Sequence, residues 1–81
     1  MERSEIKEKV KEIWCKVLGI DQIEKDNNFF DLGGDSLLSV EVICELEEAF
    51  NIEINQADYI LEVVTFKDCT DYVEKSIAKI K

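Results

Sequence analysis

The sequence predicts an all-α fold: a small bundle of three main helices plus one short helix, with a long ordered loop between the first helix and the second. Three observations carry that expectation. The 81 residues include no proline and only three glycines, so helix breakers are scarce. Apolar residues recur every three or four positions in three separate windows, the spacing of one helix face. Each window follows a residue whose side chain can accept from the helix's first free N–H groups. Residues 1–81 are expected to form one domain.

The first helix is expected over 5–18. Ser4 offers an N-cap, Glu5 suits the positive end of the helix, and Gly19 offers a stop. Its apolar face is Ile6, Val10, Ile13, Trp14, Val17 and Leu18. Residues 20–35 show no helical period, and a connection beyond about 12–15 residues tends to be functional or disordered. Ile23, Phe29, Phe30 and Leu32 argue for order, because they can pin the loop onto a core. The second helix begins at Ser36 with Asp35 as its cap and stops at Asn51. Leu38, Val42, Ile43, Leu46, Ala49 and Phe50 share one of its faces at about 100° per residue. A short linker with Ile52 and Ile54 leads to a short helix over 56–62 capped by Asn55. Thr65, with Asp68 three residues on, opens the last helix in a near capping box. Its stripe is Phe66, Cys69, Val73, Ile77 and Ile80, with Lys75, Lys79 and Lys81 toward the negative helix end.

Composition excludes several classes of function. The chain carries 19 acidic against 10 basic residues, net −9, which speaks against nucleic acid because phosphate binding needs a basic patch. No charged leader precedes an apolar run, and no apolar segment approaches the roughly 20 residues that span a bilayer. Neither a signal peptide nor a membrane span is expected. Cys15, Cys44 and Cys69 are odd in number and widely spaced, which suits neither a disulfide framework nor a metal site, and there is no histidine. A reducing compartment, the cytoplasm, is expected, and the domain is expected to be a monomer.

The stretch LGGDSLL, residues 32–38, places Ser36 at a helix start that Asp35 already caps. Gly33 and Gly34 keep the approach free of side chains, and projection puts Ser36 roughly 90° from the centre of the core stripe. A serine nucleophile needs an adjacent base, and this chain offers no histidine and no Gly-x-Ser-x-Gly elbow. No catalytic residue is therefore assigned. A phosphate loop is disfavoured by Asp35 and by the lack of a following lysine. A calcium loop starting at Asp26 fails because Phe30 and Asp31 stand where a ligand and then a glycine are required. Ser36 reads as a residue that another enzyme modifies.

Beside Ser36 on the same helix, Leu37, Val40 and Cys44 form a second, smaller apolar stripe facing away from the core. Glu41, Glu45 and Glu48 flank it, with Glu47 close by. Acids in the last turn of a helix are unfavourable by about 0.3–1 kcal/mol each, so a recognition surface for basic partners is inferred. A competing reading is a helical interaction module that uses this stripe and leaves Ser36 unmodified.

The run FFDLGGDSLLSVEVICELEEAFNIEI, residues 29–54, closely resembles the core of the acyl and peptidyl carrier proteins, whose signature is D-L-G-x-D-S-L at the start of the second helix. VVTFKD, residues 63–68, is similar to that family's entry into its last helix. The resemblance implies that Ser36 receives 4′-phosphopantetheine from coenzyme A as a phosphodiester, installed by a phosphopantetheinyl transferase. Asp35, Gly34 and Leu37 are its implied neighbours at the attachment site. The arm ends in a thiol that holds an acyl or aminoacyl group as a thioester. Implied partners are loading and condensing enzymes with basic docking surfaces, meeting Leu37, Val40, Glu41, Cys44, Glu45 and Glu48. Fatty-acid, polyketide and nonribosomal peptide synthesis all remain open as the pathway.

Overall fold

A computed structural model describes residues 2–80, the side chain of Ile80 excepted. The expectations for the Ile80 side chain and for Lys81 lie outside the described residues. The chain forms α1 (Arg3–Leu18), α2 (Ser36–Phe50), α3 (Gln56–Glu62) and α4 (Phe66–Ile80). This is the all-α architecture expected, with three long helices, one short helix and a long loop after the first.

The helix ends follow local chemistry. The Asp35 carboxylate accepts the Leu38 N–H at 2.9 Å and the Asn55 amide oxygen accepts the Asp58 N–H at 3.1 Å. Thr65 Oγ1 accepts the Asp68 N–H while the Asp68 carboxylate accepts the Thr65 N–H, both at 3.1 Å, a complete capping box. Gly19 and Asn51 end α1 and α2 in the left-handed conformation, at φ 70° and 54°. The start of α1 differs from expectation. Glu2, not Ser4, precedes the helix, without a side-chain cap, and Ser4 lies inside the first turn. The physical reason is Arg3: its guanidinium reaches Asp71 at 2.7 Å and Glu74 at 2.9 Å on α4, which holds the extra residues in the helix.

One core fills the space between the helices. Trp14 is fully buried, with the rings of Phe29 and Phe66 edge-on to it at 5.0 and 5.5 Å. Ile6, Val10, Val42, Ile43, Leu46 and Val73 pack round this aromatic centre. Cys69 is buried too, and its sulfur lies 3.5 Å from the Tyr59 hydroxyl. Burial pushes the Cys69 thiol up to about 11, so it serves as a small apolar group. One stripe residue is misplaced by the helical projection: Ala49 is exposed, because the buried edge of α2 runs through Ser39, Val42, Ile43, Leu46 and Phe50. Ser39, which the stripe did not include, is buried beside Phe29 and Tyr59.

The long connection is ordered by pairing with a distant segment. Asn28 and Thr65 form an antiparallel bridge. The Phe29 N–H donates to Val64 O at 3.0 Å, the Phe66 N–H to Asn27 O at 2.9 Å, and the Lys67 N–H to Lys25 O at 3.0 Å. Ile23 and Leu32 pack against the core and Phe29 is buried within it. Phe30 does not pin the loop: it is 53% exposed, its ring edge-on to Phe29.

Candidate functional site

The site is built by a tight turn over the Phe29 ring. The Leu32, Gly33 and Gly34 N–H groups donate to Asn28 O, Phe30 O and Phe29 O at 3.1, 3.2 and 3.0 Å. Asn28 Oδ1 accepts the Phe30 N–H at 2.8 Å and so fixes the entry to the turn. Gly33 takes φ +102°, a conformation that side-chain-bearing residues rarely adopt. Gly34 is required for a different reason: a Cβ there would lie 2.3 Å from Cε2 of Phe29. The glycine pair thus shapes the turn, and the open approach to Ser36 follows from the shape.

Asp35 follows in extended conformation and caps α2, and Ser36 is the first helical residue, exposed to solvent. The first N–H groups of a helix lack intrahelical partners and carry partial positive charge. Only the Leu38 N–H is taken by the Asp35 side chain. An anionic ester on the Ser36 oxygen would therefore sit at the favourable end of α2. The residues present fit a phosphodiester-linked arm.

Along α2 the expected partner face divides. Leu37 is 73% exposed, and Glu41, Cys44 and Glu48 are exposed. Val40 is half-buried, and with Glu41, Cys44 and Glu48 it borders a groove of about 640 Å³ that Lys16 and Val17 of α1 complete. Glu45 has a structural partner: Lys16 Nζ lies 2.6 Å from its carboxylate, joining α1 to α2. That hydrogen bond raises the Lys16 ammonium pKa, with the charge of Glu45 adding to it and Glu48 and Glu41 contributing less. Glu47 also works within the fold, because its carboxylate accepts the Ile54 N–H at 3.0 Å. Its place in the last turn of α2 is explained by that bond, without a partner.

Three exposed apolar residues went unmarked in the sequence, Ile60, Leu61 and Val64, 55%, 81% and 42% accessible, and Phe30, read as a loop anchor, joins them at 53%. Phe30 and Ile60 border a small cavity of about 20 Å³, whose other walls are Phe29, Ser39, Tyr59 and Val63. Ser39 was detectable: three residues before Val42, it falls on the core side of the projection.

Comparison with known families settles the class. A family model described as the phosphopantetheine attachment site matches residues 8–73. The chain belongs to this carrier-domain family. It is 42% identical over 81 residues to an acyl carrier protein of Guillardia theta, covering 96% of this chain and 99% of that one. It is 36% identical over 70 residues to gramicidin S synthase 2 of Brevibacillus brevis, covering 86% of this chain but only 2% of the synthase. Among solved structures it resembles the peptidyl carrier protein bound to the phosphopantetheine transferase Sfp with coenzyme A. That match has a TM-score of 0.77 and 28% identity, over 86% of this chain and 90% of the other.

A carrier domain bears 4′-phosphopantetheine derived from coenzyme A and holds acyl groups on it as thioesters, in fatty-acid or nonribosomal peptide synthesis. An interaction module with an unmodified serine is not favoured. Among the described residues, no helix of the carrier domain is long and apolar enough to cross a membrane.

Proposed function

We propose that Ser36 is the attachment residue and that residues 1–81 act as one non-catalytic carrier domain. The observation that carries this reading is the division of labour at the start of α2. Asp35 holds the cap, leaving the Ser36 hydroxyl exposed at a helix N-terminus behind a glycine turn. In the loading step the Ser36 oxygen forms a bond to the phosphorus that carries the pantetheine of coenzyme A. The bond from that phosphorus to the adenine nucleotide breaks. The hydroxyl proton passes to a base of the transferase, because this chain has no histidine to take it.

Partners meet the domain on Leu37, Val40, Cys44 and the acids Glu41 and Glu48, which pair with no cation among the described residues, and Glu45 takes part only through its tie to Lys16. Net charge of −9 favours enzymes with basic docking surfaces, phosphopantetheinyl transferases and acyl- or aminoacyl-loading enzymes among them. The exposed thiol of Cys44 suits a reducing compartment, the cytoplasm.

The test is intact mass before and after incubation with coenzyme A and a promiscuous phosphopantetheinyl transferase. The wild-type chain gains the mass of one arm and Ser36→Ala gains none. A fixed wild-type mass, or a gain that persists in Ser36→Ala, overturns the assignment.

A further inference from the structure

We propose that Lys16 is an internal competitor for the basic side chain, lysine or arginine, of a partner enzyme: it occupies Glu45 in the free domain and yields it when the partner docks. It thereby raises the affinity that a basic partner must bring before it is accepted. The inference rests on reading the outer face of α2 as the docking face, and it names a residue that tunes selectivity there.

The groove beside Val40 and Cys44 is edged by the carboxylates of Glu41, Glu45 and Glu48. Among the described residues, Lys16 is the one basic residue in its lining. Its Nζ lies 2.6 Å from the Glu45 carboxylate, and the charges of Glu48 and Glu41 stabilise the same ammonium. Three acids against one base leave the groove net negative. The acids follow one another at i, i+4 and i+7, over about 10 Å at 1.5 Å per residue. Glu45 stands in the middle, so the cation of α1 holds the central carboxylate of the row. That carboxylate lies about 14 Å along α2 from Ser36 at the same rise. A docked partner, with a contact of about 800 Å², covers both positions.

The tie suits exchange better than it suits holding the bundle together. The Lys16 and Glu45 side chains keep 70% and 36% of their surface in water, and exposed pairs of this kind add little to stability. The two helices already share the buried core through Val10, Ile13, Val42 and Leu46. An ammonium on a flexible four-carbon stem swings away without moving its helix. Lys9, two turns earlier on α1, behaves differently: it pairs within its own helix, with Glu12 at 3.5 Å, and stays out of this groove. A partner's cation that reaches Glu45 therefore meets a carboxylate already neutralised by Lys16, and it gains only the difference between the two pairings. At Glu41 and Glu48 no such exchange is required.

The full chain is loaded from coenzyme A by a promiscuous phosphopantetheinyl transferase at low salt, and kcat and the KM for the carrier are measured. Lys16→Met is expected to lower KM about fivefold with kcat within about twofold of wild type, the pattern of a change in binding alone. Lys16→Arg keeps the charge but holds Glu45 through a planar two-point fork, and is expected to raise KM about threefold. A merely structural tie would not move KM in these opposite directions. Lys7→Met removes the same charge half a turn round α1, nine residues from Lys16, and is expected to stay within about twofold of wild type. Adding Glu45→Gln to Lys16→Met is expected to return most of the gain, and about 0.5 M salt to erase it. A KM that Lys16→Met leaves unchanged or raises, or that Lys7→Met lowers equally, overturns the inference while leaving the loading of Ser36 and the docking face intact. Loading left unchanged by Glu41→Lys with Glu48→Lys overturns the docking face, and the inference with it. An unchanged wild-type mass overturns the attachment at Ser36 and both readings built on it.

Discussion

A methyl group added to Gly34 would press into the Phe29 ring and lie 2.8 Å from the Phe29 carbonyl oxygen. Phe29 cannot yield freely, because its far side is packed on Trp14. Gly34→Ala is therefore expected to cost about 1–3 kcal/mol, seen as a fall of roughly 5 °C or more in a thermal melt. Ser36→Ala, two residues on, is expected to stay within about 0.5 kcal/mol of wild type, because the Asp35 carboxylate and not the serine holds the Leu38 N–H. Loss of loading in that variant then reflects a lost hydroxyl in a folded domain. Roles at this scale were legible when they were local. Asp35, Asn55 and Thr65 each accept from the residue three positions on, and Asp68 from the residue three positions back, so the partners stand within one short stretch of sequence. The packing reason for Gly34 was not legible, since it depends on where Phe29 lies after the loop has folded. Phe30 was misread because adjacent aromatics give no sign of which ring turns inward.

Ion pairs and caps between the helices are sensitive to acid. Hydrogen bonds from Arg3 hold the Asp71 carboxyl below the ordinary aspartate value, with Lys67 adding to the effect. Backbone hydrogen bonds from Thr65, then Val64, do the same for Asp68 against a smaller opposing effect of burial. Depressed folded values mean that the unfolded chain binds more protons, so this stability is present above the ordinary value of 3.8. It is lost as pH falls through 3.8 toward the lower folded values. Thermal melts from pH 6 to pH 2.5 are expected to show that decline, and Arg3→Ala, which removes the chief partner of Asp71, is expected to flatten it. A wild-type midpoint that is level down to pH 2.5 would contradict the assignment.

The outer face of α2 is tested by reversing its unpaired charges. Glu41→Lys with Glu48→Lys is expected to slow transferase loading about tenfold at low salt, the difference fading above roughly 0.5 M as charges are screened. Glu48 lies in the last turn of α2, where lysine suits the helix dipole better. A thermal melt of the same double variant, expected to stay close to wild type, separates slower loading from lost stability.

For the whole molecule the governing quantity is the net charge of −9 on 81 residues. Self-repulsion of that kind opposes the compact state. Raising sodium chloride from 20 to 200 mM shortens the screening distance from about 20 Å to about 7 Å. The melting midpoint is expected to rise by roughly 4 °C, about 1 kcal/mol for a domain of this size. A falling midpoint would mean that Arg3–Asp71, Lys16–Glu45 and their like outweigh the repulsion. The helical bundle was legible because three apolar stripes of period 3.6 can bury themselves only against one another. The seam between residues 25–29 and 64–67 was not, since pairing across nearly forty residues leaves no local pattern.

That seam also decides where the chain tolerates added length. Asp21 and Gln22 are exposed and precede its first bond, at Lys25. From Lys25 to Gly34 the backbone bonds either to the segment that enters α4 and its first turn or within its own tight turn. A reporter peptide or affinity handle grafted between Asp21 and Gln22 hangs from the molecule as a side branch, whereas the same graft after Asn27 parts the seam. The connection therefore offers an engineering port between Asp21 and Gln22, upstream of the tight turn that leads to Ser36.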